Sequence, residues 1–215
     1  MDTLTYILGV VIYVAQALVA VVGLYYVIVI WRRLAQYRFR SEAAQSDFLT
    51  ELSKNLSSGN VQAATELCEQ DRRVLPQLAL LALENRALGY AKVRHLIADR
   101  FQRDVLAELE YRLSWVTTVI KTAPMLGLFG TVGGMMGAFE ELASGEKIDA
   151  ANLASNISLA LLTTVIGLAI AIPLMLAVAS INVRVRKLED LVGVGITQFL
   201  EFAKPMLERS ARKAG

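Results

Sequence analysis

The sequence predicts an all-α membrane protein with three transmembrane helices and long cytoplasmic helical extensions, and three observations lead there. Three long stretches carry no charged residue: 3–31 between Asp2 and Arg32, 122–139 between Lys121 and Glu140, and 150–183 between Asp149 and Arg184. Hydrophobic residues make up 55% of the 215-residue chain, more than soluble domains usually carry, and the excess sits in those stretches. The charges flanking the stretches are sorted by sign.

Each stretch has the length needed to cross a bilayer, which takes roughly 20 apolar residues. The middle one is the shortest, and "LSWVTTVI" at 113–120 extends it toward the N-terminus. Lys121 then lies within the span or reaches along the helix to the cytoplasmic edge. The first stretch reads as a retained span and not a cleaved leader. No Lys or Arg precedes it, its apolar run is long, and the cleavage-like "AQA" at 15–17 lies mid-run.

Basic residues set the orientation. Arg32, Arg33, Arg38 and Arg40 follow the first stretch, Arg112 and Lys121 precede the apolar core of the second, and Arg184, Arg186 and Lys187 follow the third. Between the second and third lie Glu140, Glu141, Glu146 and Asp149 against one Lys147. The positive-inside rule therefore predicts a short N-terminus outside the cytoplasm with a first span (1–31) and a cytoplasmic helical region (32–114). A second span (115–141), an outside loop (142–152), a third span (153–183) and a cytoplasmic helical C-terminus (184–215) follow.

Within 32–114, Ser57–Asn60 marks a turn before a helix start, and Pro76 is placed to open a further helix. No proline occurs from Gln77 to Ala123, and Ile97, Phe101, Val105, Leu109 and Leu113 recur on one face. This predicts one helix running from the cytoplasm into span two. Span three is expected to continue inward until Pro205.

Several function classes are excluded or disfavoured. A net charge of +2 gives no electrostatic case for a nucleic-acid partner. The single Cys68 reads as a small buried apolar group, and His95 has no companion ligand for zinc. No cofactor is expected, and no nucleophile–base constellation supports an enzyme.

The run "TAPMLGLFGTVGGMMGAF" at 122–139 holds the most informative pattern. Gly127, Gly130, Gly134 and Gly137 form one helical stripe, and span three carries a matching one: Asn156, Ala160, Thr164, Gly167 and Ala171. Small residues let helix backbones approach closely in lipid. Such faces suit packing against each other, against a neighbouring subunit or against an inserted partner helix. The run lacks the residues of a phosphate loop.

Thr131 adjoins the first stripe, Thr164 lies on the second, and Thr163 and Ser158 are near. A lone membrane threonine usually bonds its own helix backbone. Two such helices facing each other make a polar seam able to hydrate or relay a cation. The three stretches contain no Asp, Glu, His or Arg, and a proton path usually needs an ionisable group. A proton-moving role therefore requires a carboxylate from another chain; without one, the glycines and threonines serve a non-conducting scaffold.

"APMLGLFGTVGGMMGAF" followed by "LALLTTVIGLAIAIP" resembles the MotA/TolQ/ExbB proton channel family, most closely its ExbB/TolQ branch, over roughly residues 120–175. The resemblance implies a homo-oligomeric ring, pentameric in the family, in the bacterial inner membrane. The ring would surround a dimer of single-span ExbD/TolR-like partners that carry the titrating aspartate. Proton flow would turn one ring against the other and drive work in the envelope. By motif position, Thr131 and Thr164 match the family's threonines facing that aspartate. Thr163, Asn156, Gly127, Gly130, Gly134, Gly137 and Gly167 would complete the small and polar seam. The chain departs from the branch at Leu159, where a glutamate is usual, and at Gly133, where a tryptophan is usual.

Overall fold

The computed structural model describes residues 2–143 and 150–214. The acidic loop centred on Glu146 and Asp149 lies outside the described residues. Among the described residues the ordered elements are all helical: α1 (Asp2–Tyr37), α2 (Glu42–Ser57), α3 (Val61–Glu69), α4 (Val74–Glu84), α5 (Tyr90–Arg100), α6 (Ala107–Ala143) and α7 (Ala150–Ala214). A short 3₁₀ turn, Arg86–Leu88, precedes α5, and a π-helical segment, Phe101–Leu106, joins α5 to α6.

Local chemistry sets the short-helix boundaries. Ser41 caps α2, its Oγ accepting from the Ala44 amide at 3.1 Å. Gly59 follows α2 with φ +77°, a left-handed conformation that glycine adopts without steric cost. Asn60 then caps α3, its Oδ1 accepting from Ala63 at 3.0 Å. Pro76 falls in the first turn of α4, where the missing N–H costs no helical bond.

Two expectations about long helices need correction. The proline-free stretch from Gln77 is not one helix, because the chain breaks at Asn85–Gly89, where Gly89 takes φ +81°. From Tyr90 onward the helical path does run into α6, but through the π segment. The apolar row Ile97–Phe101–Val105–Leu109–Leu113 repeats every four residues, and on an α-helix that row drifts by about 40° per step. A π turn takes up the excess; Ile97, Val105 and Leu109 are all buried. The second correction is at Pro205, which does not end α7; the helix continues to Ala214. Ala203 and Leu207, on either side, are fully buried, and that packing outweighs one lost backbone bond.

The chain divides into two units, with α1, α6 and α7 contributing to both. The first comprises Met1–Val29 and Arg112–Ser180. In it Gly23 of α1 meets Val119 of α6 and Leu174 of α7. Tyr26 stacks on Trp115 with ring centroids 6.1 Å apart. Large apolar side chains on all three helices stay exposed, among them Leu18, Val21, Leu128, Phe129 and Leu176. Apolar surface on that scale suits lipid or neighbouring subunits, and water poorly. Among the described residues three helices are long and apolar enough to cross a membrane, with the backbone bonded internally as hydrocarbon demands.

The second unit comprises Ile30–Tyr111 and Ile181–Gly215. Leu52, Ala64, Cys68, Leu83 and Val93 of the short helices and Leu188, Phe199 and Leu207 of α7 are buried in it. Gln45 Nε2 donates to Leu191 O at 2.8 Å. Gly195 lets Leu75 and Gln45 approach; a Cβ there would lie 2.6 Å from Leu75 Cδ2. Arg33 donates to Glu108 at 2.8 Å and to Tyr37 at 3.2 Å. The Tyr37 hydrogen bond, aided by the Glu108 charge, raises the Arg33 pKa further. Burial, assisted by Asp71, pushes the Cys68 thiol up to about 12, so it behaves as the apolar group expected of it.

Candidate functional site

The glycine stripe of α6 lies directly against α7 within the first unit. A Cβ at Gly127 would come within 2.6 Å of Thr163 O and 2.7 Å of Thr164 Cα. One at Gly130 would meet Thr163 Oγ1 at 2.5 Å, and one at Gly134 would meet Ala160 Cβ at 2.6 Å. The contact is reciprocal: a Cβ at Gly167 of α7 would lie 2.5 Å from Ala123 O of α6. No side chain fits at these points, so glycine sets the interhelix distance.

That approach brings three hydroxyls together. Thr131 Oγ1 and Thr164 Oγ1 are 2.5 Å apart across the two helices. Thr131 Oγ1 is also 3.1 Å from Gly127 O and 3.2 Å from Ala160 O. Thr163 Oγ1 lies 2.8 Å from Gly127 O and 2.7 Å from Ala160 O. Burial separates their roles. Thr163 is buried and ties the helices together, whereas Thr131 and Thr164 are each half-exposed.

A hydroxyl has one proton to give and two lone pairs, which leaves the pair two arrangements. When Thr131 donates to a carbonyl, Thr164 donates to Thr131 and presents an acceptor outward. When Thr131 donates to Thr164, the Thr164 proton is free to point outward. The pair therefore serves a neighbouring group as acceptor or donor without changing its own protonation.

Of the remaining seam residues, Gly137 is half-buried on the α6 stripe, and Asn156 is exposed two turns before Thr163 on α7. The structure brings Gly127, Gly130, Gly134, Thr131, Thr163, Thr164 and Gly167 into one contact. Leu159 is exposed, and its carbonyl accepts from Tyr13 at 3.3 Å.

One participant went unread in the sequence. Gln16 of α1 is 1% exposed, and its Nε2 donates to Thr163 O at 2.7 Å. Its Oε1 is buried with no hydrogen-bond partner among the described residues. A carbonyl can only accept, so the amide nitrogen must face Thr163. The available signal was that Gln16 is the one side-chain amide in the run 3–31.

These features define a multi-pass helical membrane protein with a hydroxyl pair on a glycine-faced helix contact. Comparison with known proteins places it more narrowly. The family model described as the MotA/TolQ/ExbB proton channel family matches residues 77–192, which take in α6 and α7 as far as Val192. A candidate biopolymer transport protein ExbB homolog of Methanothermobacter thermautotrophicus is 30% identical over 161 residues, covering 74% of this chain and 56% of its own. The Tol-Pal system protein TolQ of Haemophilus influenzae is 37% identical over 94 residues, 44% of this chain and 41% of its own. The biopolymer transport protein ExbB of Pseudomonas putida is 29% identical over 169 residues, 75% and 50% respectively. The chain thus spans about half the length of these relatives. It belongs to the MotA/TolQ/ExbB proton channel family, in the ExbB/TolQ branch.

Proposed function

We propose that the chain is a non-enzymatic, ExbB/TolQ-like subunit of a proton-driven motor in the bacterial inner membrane. Its N-terminus would be periplasmic and its C-terminus cytoplasmic. Copies would form a ring, pentameric as the family resemblance implies, around a dimer of single-span ExbD/TolR-like proteins. The observation that carries this reading is the half-exposed Thr131–Thr164 pair, 2.5 Å apart, on a contact thinned by glycine.

The missing element is a titrating group, which the partner's aspartate supplies. Hydrocarbon surroundings favour its neutral acid, which donates to Thr164 Oγ1. After the acid releases its proton to water on the cytoplasmic side, the carboxylate accepts from the reoriented Thr164 hydroxyl. Reprotonation from the periplasmic side completes the cycle, and the gradient supplies direction. The hydroxyls lower the cost of the charged state while neither gains nor loses a proton overall.

A second reading, a non-conducting scaffold, draws on one observation: Thr131 also bonds Gly127 O, four residues back on its own helix. The two readings part in the variant Thr131→Val with Thr164→Val, purified with its partner and reconstituted in vesicles. The motor reading expects intact assembly with proton uptake reduced to background, and uptake restored by the Ser/Ser pair. Unchanged uptake in the Val/Val variant rejects the ion-path role.

A further inference from the structure

The second unit contains a cleft of about 400 Å³ lined by Trp31, Leu34, Phe39 and four arginines, Arg38, Arg40, Arg73 and Arg184. Among the described residues no acidic side chain lines it. Only Arg73 has a carboxylate partner, Asp71 at 3.3 Å; Arg38, Arg40 and Arg184 make no ion pair among the described residues. Arg38 is half-buried, and Arg40 and Arg184 are exposed.

Two of the guanidiniums are held by stacking. Arg184 lies 4.3 Å from the Trp31 ring centre, and Arg73 lies 4.4 Å from that of Phe39. A guanidinium over a ring keeps N–H donors that can bind an oxyanion; on Arg73 one of them already faces Asp71. The cleft also has a defined level along the chain. Trp31 ends the first uncharged run and Arg184 follows the third, and their contact sets the two run ends side by side. That is where hydrocarbon gives way to headgroups, the depth at which tryptophan concentrates and basic pockets take lipid phosphates.

We propose that this cleft binds the phosphate of an anionic phospholipid. Unpaired guanidiniums supply the recognition, and the run ends place it at headgroup depth. A free phosphate ion offers the same oxyanion without the membrane, so the test separates the two sources. The inference does not depend on proton conduction.

The intact protein, purified in detergent, is examined by native mass spectrometry. It is incubated with equal parts phosphatidylglycerol and phosphatidylcholine, with and without millimolar inorganic phosphate. The expected result is selective retention of phosphatidylglycerol that phosphate does not displace. In Arg38→Gln with Arg184→Gln, retention is expected to fall roughly thirtyfold, about 1 kcal/mol for each of two arginines. Equal retention of the two lipids by the wild-type chain overturns the proposal, as does displacement by inorganic phosphate, which assigns the cleft to a soluble anion. Undiminished phosphatidylglycerol retention in the double variant also overturns it. The wild-type competition decides the matter even if that variant does not fold.

Discussion

Thr131 and Thr164 were legible as candidates because the first adjoins a small-residue stripe and the second lies on one; that Thr163 turns inward while its neighbour stays accessible was not. Which carbonyl a hydroxyl finds depends on the angle between two helices, and periodicity does not encode it. Gln16 shows the same limit. Its amide gains one bond, worth about 0.6 kcal/mol on average within membranes. Its unpartnered carbonyl costs roughly 1–3 kcal/mol. Gln16→Leu is therefore expected to leave the thermal unfolding temperature unchanged or raised. A marked fall would show that Oε1 has a partner, such as a bound water.

Cys68 gives a second prediction at this scale. Its thiol is buried, and its pKa rises from 9.0 to about 12. The folded state thus keeps a proton that the unfolded state releases between those values. Stability falls as pH rises from about 9 toward 12, with no contribution below that window. Maleimide should leave Cys68 unmodified at neutral pH until the protein unfolds, as mass measurement of the treated protein would report. Rapid labelling of the folded chain would contradict its burial.

Among the helices, absent charge identified the three apolar runs, the turn at Ser57–Asn60 marked the start of α3 and Pro76 that of α4, while the Ser41 cap and the break at Gly89 went unread. Departures arose where packing overrode a local signal: Pro205 sits within α7 because its neighbours are buried, and the four-residue apolar row is accommodated by a π segment. Glycine roles divide in the same way. At Gly127 a methyl group meets the backbone of α7, which cannot step aside, so Gly127→Ala should destabilise by about 1–3 kcal/mol and part the threonine pair. At Gly193 nothing lies within 4 Å, so Gly193→Ala should stabilise α7 by up to about 1 kcal/mol. Thermal unfolding of the two variants gives the comparison. Equal effects would mean that the glycine stripe does not set the helix contact.

For the whole molecule, the sorting of the flanking charges predicts a topology with residues 32–114 and 184–215 in the cytoplasm. In a Cys68→Ser background, a membrane-impermeant maleimide should label Glu140→Cys on intact spheroplasts. Gln198→Cys should label only after permeabilisation, and the reverse pattern would invert the orientation. No carboxylate lies within the three uncharged runs, so the proposed motor depends on another chain. The decisive measurement is native mass spectrometry of the protein extracted gently from its own membrane. The account predicts a ring of this chain carrying two copies of a small single-span protein with an intramembrane aspartate. A ring without such a partner would leave the hydroxyl pair with nothing to titrate and would contradict the motor.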